Sequence, residues 1–84
     1  MAAEPITVRV EYYAQMREAT RKNGERVRAL VANPHELYEQ LRRQYDFPLG
    51  VENLRVAVNQ EMSDWNCALQ EGDTVAFLPP VAGG

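Results

Sequence analysis

The sequence predicts an α+β domain in which one main helix is laid across a mixed sheet. Three stretches carry that prediction. Ile6, Val8, Val10 and Tyr12 alternate with Thr7, Arg9 and Glu11, the period of two that marks a half-buried strand. A capped amphipathic segment begins at Asn33, and a short apolar run, Thr74–Leu78, is stopped by the double proline Pro79-Pro80.

The elements follow in order. After the first strand, Tyr13–Ala19 is rich in helix formers and predicts a helical turn, and Asn23-Gly24 is a turn signal. Glu25–Val31 then sets Val27, Ala29 and Val31 against Arg26, Arg28 and Leu30, which suits a second strand antiparallel to the first. Asn33 is the expected helix cap, Pro34 fits the first helical position, and Glu36 stands where its carboxylate reaches back. Leu37, Tyr38, Leu41 and Tyr45 form one apolar stripe, and Pro48 and Gly50 are expected to end the helix. Leu54–Val58 reads as a strand that turns at Asn59-Gln60 into a short return at Glu61-Met62. Trp65, Cys67 and Leu69 show no period, and Gln70–Asp73 turns the chain into the last strand. A ubiquitin-like β-grasp is the simplest arrangement of these pieces. One domain is expected over 1–84, with 1–5 disordered and 79–84 as a projecting tail.

Composition narrows the function. The chain has 84 residues, 45% hydrophobic and 25% charged, enough for one small core and no large cleft. Nine Lys and Arg against twelve Asp and Glu give a net charge of −3, so there is no basic excess for a nucleic-acid backbone. A single cysteine excludes an internal disulfide and the thiolate sets of zinc ribbons and iron–sulfur clusters. The start, Met-Ala-Ala-Glu-Pro, lacks a signal-peptide pattern, and no apolar run is long enough to span a bilayer, so a cytoplasmic chain with no membrane partner is expected.

The tail Pro79-Pro80-Val81-Ala82-Gly83-Gly84 is the most informative segment. Proline cannot donate to a sheet ladder and favours polyproline II, so the segment is expected to leave the sheet as a stiff arm reaching roughly 20 Å at ~3.3 Å per residue. Its taper from Val81 to Gly84 places a bare carboxylate at the tip. An enzyme that adenylates such a carboxylate makes it open to attack by sulfur or an amine, and a Gly-Gly end admits both without a β-carbon clash.

The run Gly72-Asp73-Thr74-Val75-Ala76-Phe77-Leu78-Pro79-Pro80-Val81-Ala82-Gly83-Gly84 resembles the C-terminal signature of the molybdopterin synthase small subunit, the MoaD family of ubiquitin-like sulfur carriers. Tyr12-Tyr13-Ala14-Gln15-Met16-Arg17-Glu18 and Ala57-Val58-Asn59-Gln60 are similar to the end of that family's first strand and to its central turn. The resemblance covers nearly the whole chain; Ala82 stands where members often carry Thr or Ser. It implies that Gly84 is adenylated by an E1-like enzyme, becomes a thiocarboxylate with sulfur from a sulfurtransferase donor, and delivers that sulfur to precursor Z in the large subunit, forming the dithiolene of molybdopterin. Gly83 would permit access. The resemblance further implies a heterotetramer with the large subunit, no catalytic machinery and no permanently bound cofactor in this chain, and ATP used by the activating partner. A carrier for thiamine thiazole, a ubiquitin-like modifier and an interaction module with an idle tail are the competing functions.

Strand parity also predicts a docking surface. With Val75 and Phe77 facing the helix, Leu78 faces away, as does Tyr13, so Tyr13, Met62 and Leu78 are expected to cluster near the root of the tail, with Pro79, Pro80, Val81 and Ala82 completing the partner contact. Arg26, Arg28, Arg42 and Arg43 are read as solvated charge, His35 as a surface residue, and Cys67 as a half-buried small hydrophobe. Lys22 is the single lysine, which leaves little scope for self-conjugation.

Overall fold

The computed structural model describes residues 4–79. Five strands, β1 (Ile6–Glu11), β2 (Gly24–Ala29), β3 (Arg55–Val58), β4 (Glu61–Ser63) and β5 (Thr74–Leu78), form one sheet in the order β2-β1-β5-β3-β4. β1 and β5 are parallel and the other pairs antiparallel. Two helices, α1 (Gln15–Thr20) and α2 (Pro34–Tyr45), complete the fold with a short 3-10 turn at Val51–Asn53. This is the mixed sheet and single main helix of the expected β-grasp. Glu4 and Pro5 precede β1, exposed and without regular structure, and residues 1–3, the rest of the segment expected to be disordered, lie outside the described residues.

Helix α2 begins as its residues dictate. The Asn33 side chain accepts a hydrogen bond from the Glu36 amide at 2.9 Å, Pro34 occupies the first turn, and the Glu36 carboxylate reaches back to the Ala32 amide at 2.8 Å. The end differs from expectation. Asp46 adopts a left-handed conformation (φ 58°) and its N–H bonds the Arg42 carbonyl, so the helix closes at Tyr45, before Pro48 is reached. One residue in that conformation satisfies a terminal carbonyl, which is sufficient to reverse the chain.

The helix buries Leu37, Tyr38 and Leu41 against a sheet face built from Val8, Val10, Val56, Val75 and Phe77. Apolar area removed from water at about 25 cal/mol per Å² is the main stabilising contribution. The Tyr38 ring meets Phe77 edge-on at 5.0 Å, and its hydroxyl finds the Leu49 carbonyl, so burial pushes the phenol up to about 12 without leaving it unpaired. The aperiodic segment is explained by packing. Trp65 stacks flat on Phe77 at 5.8 Å, Leu69 is buried, and the Trp65 and Ala32 carbonyls accept from the His35 and Leu69 amides. Side chains in such a loop are selected by what they touch rather than by repeat.

A half-buried charged residue stands on the helix side of the sheet. Glu25, paired in register with Val10, accepts hydrogen bonds from the hydroxyls of Tyr12 and Tyr45, both at 2.6 Å, and from Lys22 Nζ at 3.0 Å. Desolvation opposes its charge, but these three donors outweigh it and hold the carboxyl below its ordinary value. Burial and the same carboxylate push Tyr12 far above the usual phenol range.

A carboxyl depressed on folding contributes stability above its unfolded value, and that contribution is lost as pH falls through the folded one. Glu25→Gln should therefore cost about 2 kcal/mol near neutrality. Urea unfolding from pH 3 to 7 should give a flatter stability curve for the variant than for the native chain.

Candidate functional site

The sheet has a second face, with no helix on it, and the strand register lays it out in rows. Gly24, Glu11, Ala76, Ala57 and Met62 stand side by side across all five strands. Ala76 and Ala57 make a low floor between Glu11 on one side and Met62 on the other, three strand spacings or roughly 14 Å apart. Thr74 and Leu78 extend the floor along β5, and Tyr13 closes one end. The result is a groove of about 590 Å³.

Tyr13, Met62 and Leu78 thus line one groove, and two of them are large exposed hydrophobics, Tyr13 at 38% and Met62 at 57%. Patches of this kind on small domains are commonly sites of association. Pro79 is half-buried at the end of β5. Pro80, Val81, Ala82, Gly83 and Gly84 lie outside the described residues.

Tyr13 is placed by a tight turn. The Met16 amide bonds the Tyr13 carbonyl at 3.0 Å, and Ala14 takes φ 50° and ψ −123°, a backbone region natural to glycine. Immediately afterwards the Glu18 amide bonds the Ala14 carbonyl and α1 begins. The Tyr13 hydroxyl lies 3.2 Å from the Glu11 carboxylate, whose charge holds the phenol protonated to higher pH than usual. Glu11, Ala57 and Ala76 are among the groove residues that sequence reasoning passed over. Their signal was present as strand parity, but the alignment of three strands that makes them neighbours was not.

Opposite the tail root, the β3–β4 turn and the Gln70–Asp73 turn are tied together. The Asn59 side chain donates to Asp73 at 3.0 Å and accepts from the Thr74 amide at 2.9 Å, while Asp73 also accepts from the Gln70 amide. The start of β5 is therefore fixed from both sides. Elsewhere, His35 is exposed beside Glu39 at 3.9 Å, and Cys67 is a half-buried free thiol. Among the described residues, no group of three or more His, Cys, Asp or Glu is arranged to hold a metal ion, and no helix is long and apolar enough to cross a membrane.

The model of the ThiS family matches residues 10–84. The chain belongs to the ThiS family. Within it, the molybdopterin synthase sulfur carrier subunit of Escherichia coli is 35% identical over 80 residues, covering 92% of this chain and 99% of that protein. The subunit of the same name from Mycobacterium tuberculosis is 34% identical over 88 residues, covering 94% and 99%. Among solved structures, the small archaeal modifier protein 1 of Methanosarcina acetivorans superposes with a TM-score of 0.77 at 20% identity, over 96% of this chain and 99% of that one. A chain of the complex of subunits 1 and 2 of the molybdopterin-converting factor from Helicobacter pylori gives 0.67 at 24%, over 94% and 100%. These likenesses fix the β-grasp fold of this ThiS-family chain.

The turn at Ala14 generates a test. A β-carbon in that conformation costs roughly 1–3 kcal/mol, more than the extra unfolded-state entropy of glycine returns. Ala14→Gly is expected to raise unfolding free energy by about 1 kcal/mol in urea titrations, and Ala14→Val to lower it by more than that.

Proposed function

We propose that this protein is the sulfur-carrier subunit of a molybdopterin synthase, acting in the cytoplasm, with Gly84 as the carrier residue. The observation that carries the proposal is 35% and 34% identity to two molybdopterin synthase sulfur carrier subunits, across 99% of each. The open groove beside the root of the tail adds a surface through which partner enzymes would take hold.

In this reading the chain supplies a substrate and its partners supply the chemistry. The Gly84 carboxylate attacks the α-phosphorus of ATP in an E1-like enzyme, and pyrophosphate leaves. A persulfide on a sulfurtransferase donor then attacks the acyl adenylate and displaces AMP, and a thiol cleaves the resulting acyl disulfide, giving a thiocarboxylate. In the active site of the large subunit that sulfur passes to precursor Z, and water returns Gly84 to a carboxylate. Gly83 keeps the approach to the carbonyl clear of a β-carbon. This chain holds no cofactor of its own; ATP belongs to the activating enzyme.

Tyr13, Met62 and Leu78 would dock the large subunit, with Pro79, Pro80, Val81 and Ala82 leading the tip into its channel. Leu78 has its side chain in the groove and adjoins the tail, so it couples the two parts of the contact.

Intact mass of the protein purified from cells that express the activating enzyme should reveal a form with one carboxylate oxygen exchanged for sulfur. Its persistent absence while the pathway runs would refute the carrier role. Adducts to lysines of other proteins that vanish on deletion of Gly84 would point instead to a protein modifier. Leu78→Asp should weaken large-subunit binding by at least about tenfold in calorimetry while the melting curve stays cooperative.

A further inference from the structure

The β1–β2 half of the open face is chemically unlike the groove. In register, Arg26 stands directly across from Arg9, and Arg28 stands across from Thr7, two residues along the same edge strand. Three arginines therefore share one strip, and the row containing Arg9 continues into Thr74 of the groove. Like charges directly opposite on neighbouring strands oppose folding. The sheet relieves the strain only in part. The Arg9 guanidinium leans over Gly24, where a β-carbon would come within 3.0 Å of Nη2, and its Nε lies 3.8 Å from Glu11.

Arg26 and Arg28 are exposed, and among the described residues neither has a carboxylate within ion-pair distance. Two carboxylates border the strip, and both are engaged: Glu11 by the Tyr13 hydroxyl and Arg9, and Glu71 by the Thr7 amide. In a chain of net charge −3, this is a local concentration of positive charge that Glu11 offsets at Arg9 alone.

We propose that Arg9, Arg26 and Arg28 form the second half of the docking surface and engage an acidic segment of the large subunit seated in the neighbouring groove. The proposal rests on the carrier reading and adds the chemistry of the partner's face. Charge complementarity is the argument for this occupant: Arg26 and Arg28 have no carboxylate partner among the described residues, and the row through Arg9 continues into the groove. Guanidinium groups hold carboxylates through paired hydrogen bonds, and exposed charges at an interface rim act chiefly on the rate of encounter. The groove would supply lifetime and the strip would supply speed and orientation.

The test is the association and dissociation rate of this chain with the large subunit from the same organism, at about 50 mM and about 500 mM salt. The pair Arg26→Glu and Arg28→Glu should slow association about tenfold at low salt, with little change in dissociation, and the difference should shrink at high salt. Replacing both by Gln should give a smaller slowing in the same direction, which guards against a misfolded double variant. Both pairs should melt at or above the native temperature, because each removes the opposed charges. Leu78→Asp should lose binding at either salt.

Unchanged association in both charge variants, with binding lost in Leu78→Asp, would overturn the acidic-partner assignment and leave the groove reading standing. Failure of the native chain to bind would remove both. Tight binding of single-stranded RNA at about 150 mM salt, lost in the double variants, would also overturn the assignment, in favour of a polyanion.

Discussion

The parallel pairing of β1 with β5 is the constraint on which the rest of this molecule depends. It places the last strand in the middle of the sheet, with neighbours on both sides. A central strand cannot shift register without turning Val75 and Phe77 out of the core, where both are fully buried. The segment that follows Leu78 therefore starts from one of the best-fixed points in the protein.

The two faces of the sheet divide the work. The helix side spends its apolar surface on folding, with aromatic rings of Tyr38, Trp65 and Phe77 packed within 6 Å of one another. The open side carries small residues at its centre, Ala57 and Ala76, and larger or charged ones at its margins. Small residues there cost little stability and leave room, so an incoming side chain finds a shaped recess instead of a filled surface. The same logic applies to charge. Glu25, on the helix side, is surrounded by three donors, whereas Arg26 and Arg28, one and three residues later on the open side, have no ionic partner among the described residues. Successive residues of one strand thus serve opposite ends.

Much of the fold was legible because it is written in short-range chemistry. The alternation from Ile6 to Tyr12, the cap at Asn33 with Pro34 and Glu36 behind it, and the turn at Asn59-Gln60 each follow from local sterics and hydrogen bonding, and each is present. Strand parity likewise separates Tyr13, Met62 and Leu78 from the core. The end of α2 was misplaced because the signal used, Pro48, is a strong helix breaker, while Asp46 stopped the helix by a single left-handed residue that composition does not advertise. The strain at Ala14 was invisible for the same reason: alanine is ordinarily a helix former, and only the turn that holds Tyr13 forces it into a glycine conformation.

By itself, then, the amino-acid order determined the element types and the buried parity of the main strands. Tertiary structure alone decided which residues of different strands stand beside one another: Glu11 next to Ala76, Arg9 across from Arg26, and Tyr12 and Tyr45 on one carboxylate. The reason is that periodicity fixes which way a side chain points along its own strand, while its neighbours across the sheet depend on strand order and register, which are set by long-range pairing and the packing of the whole core.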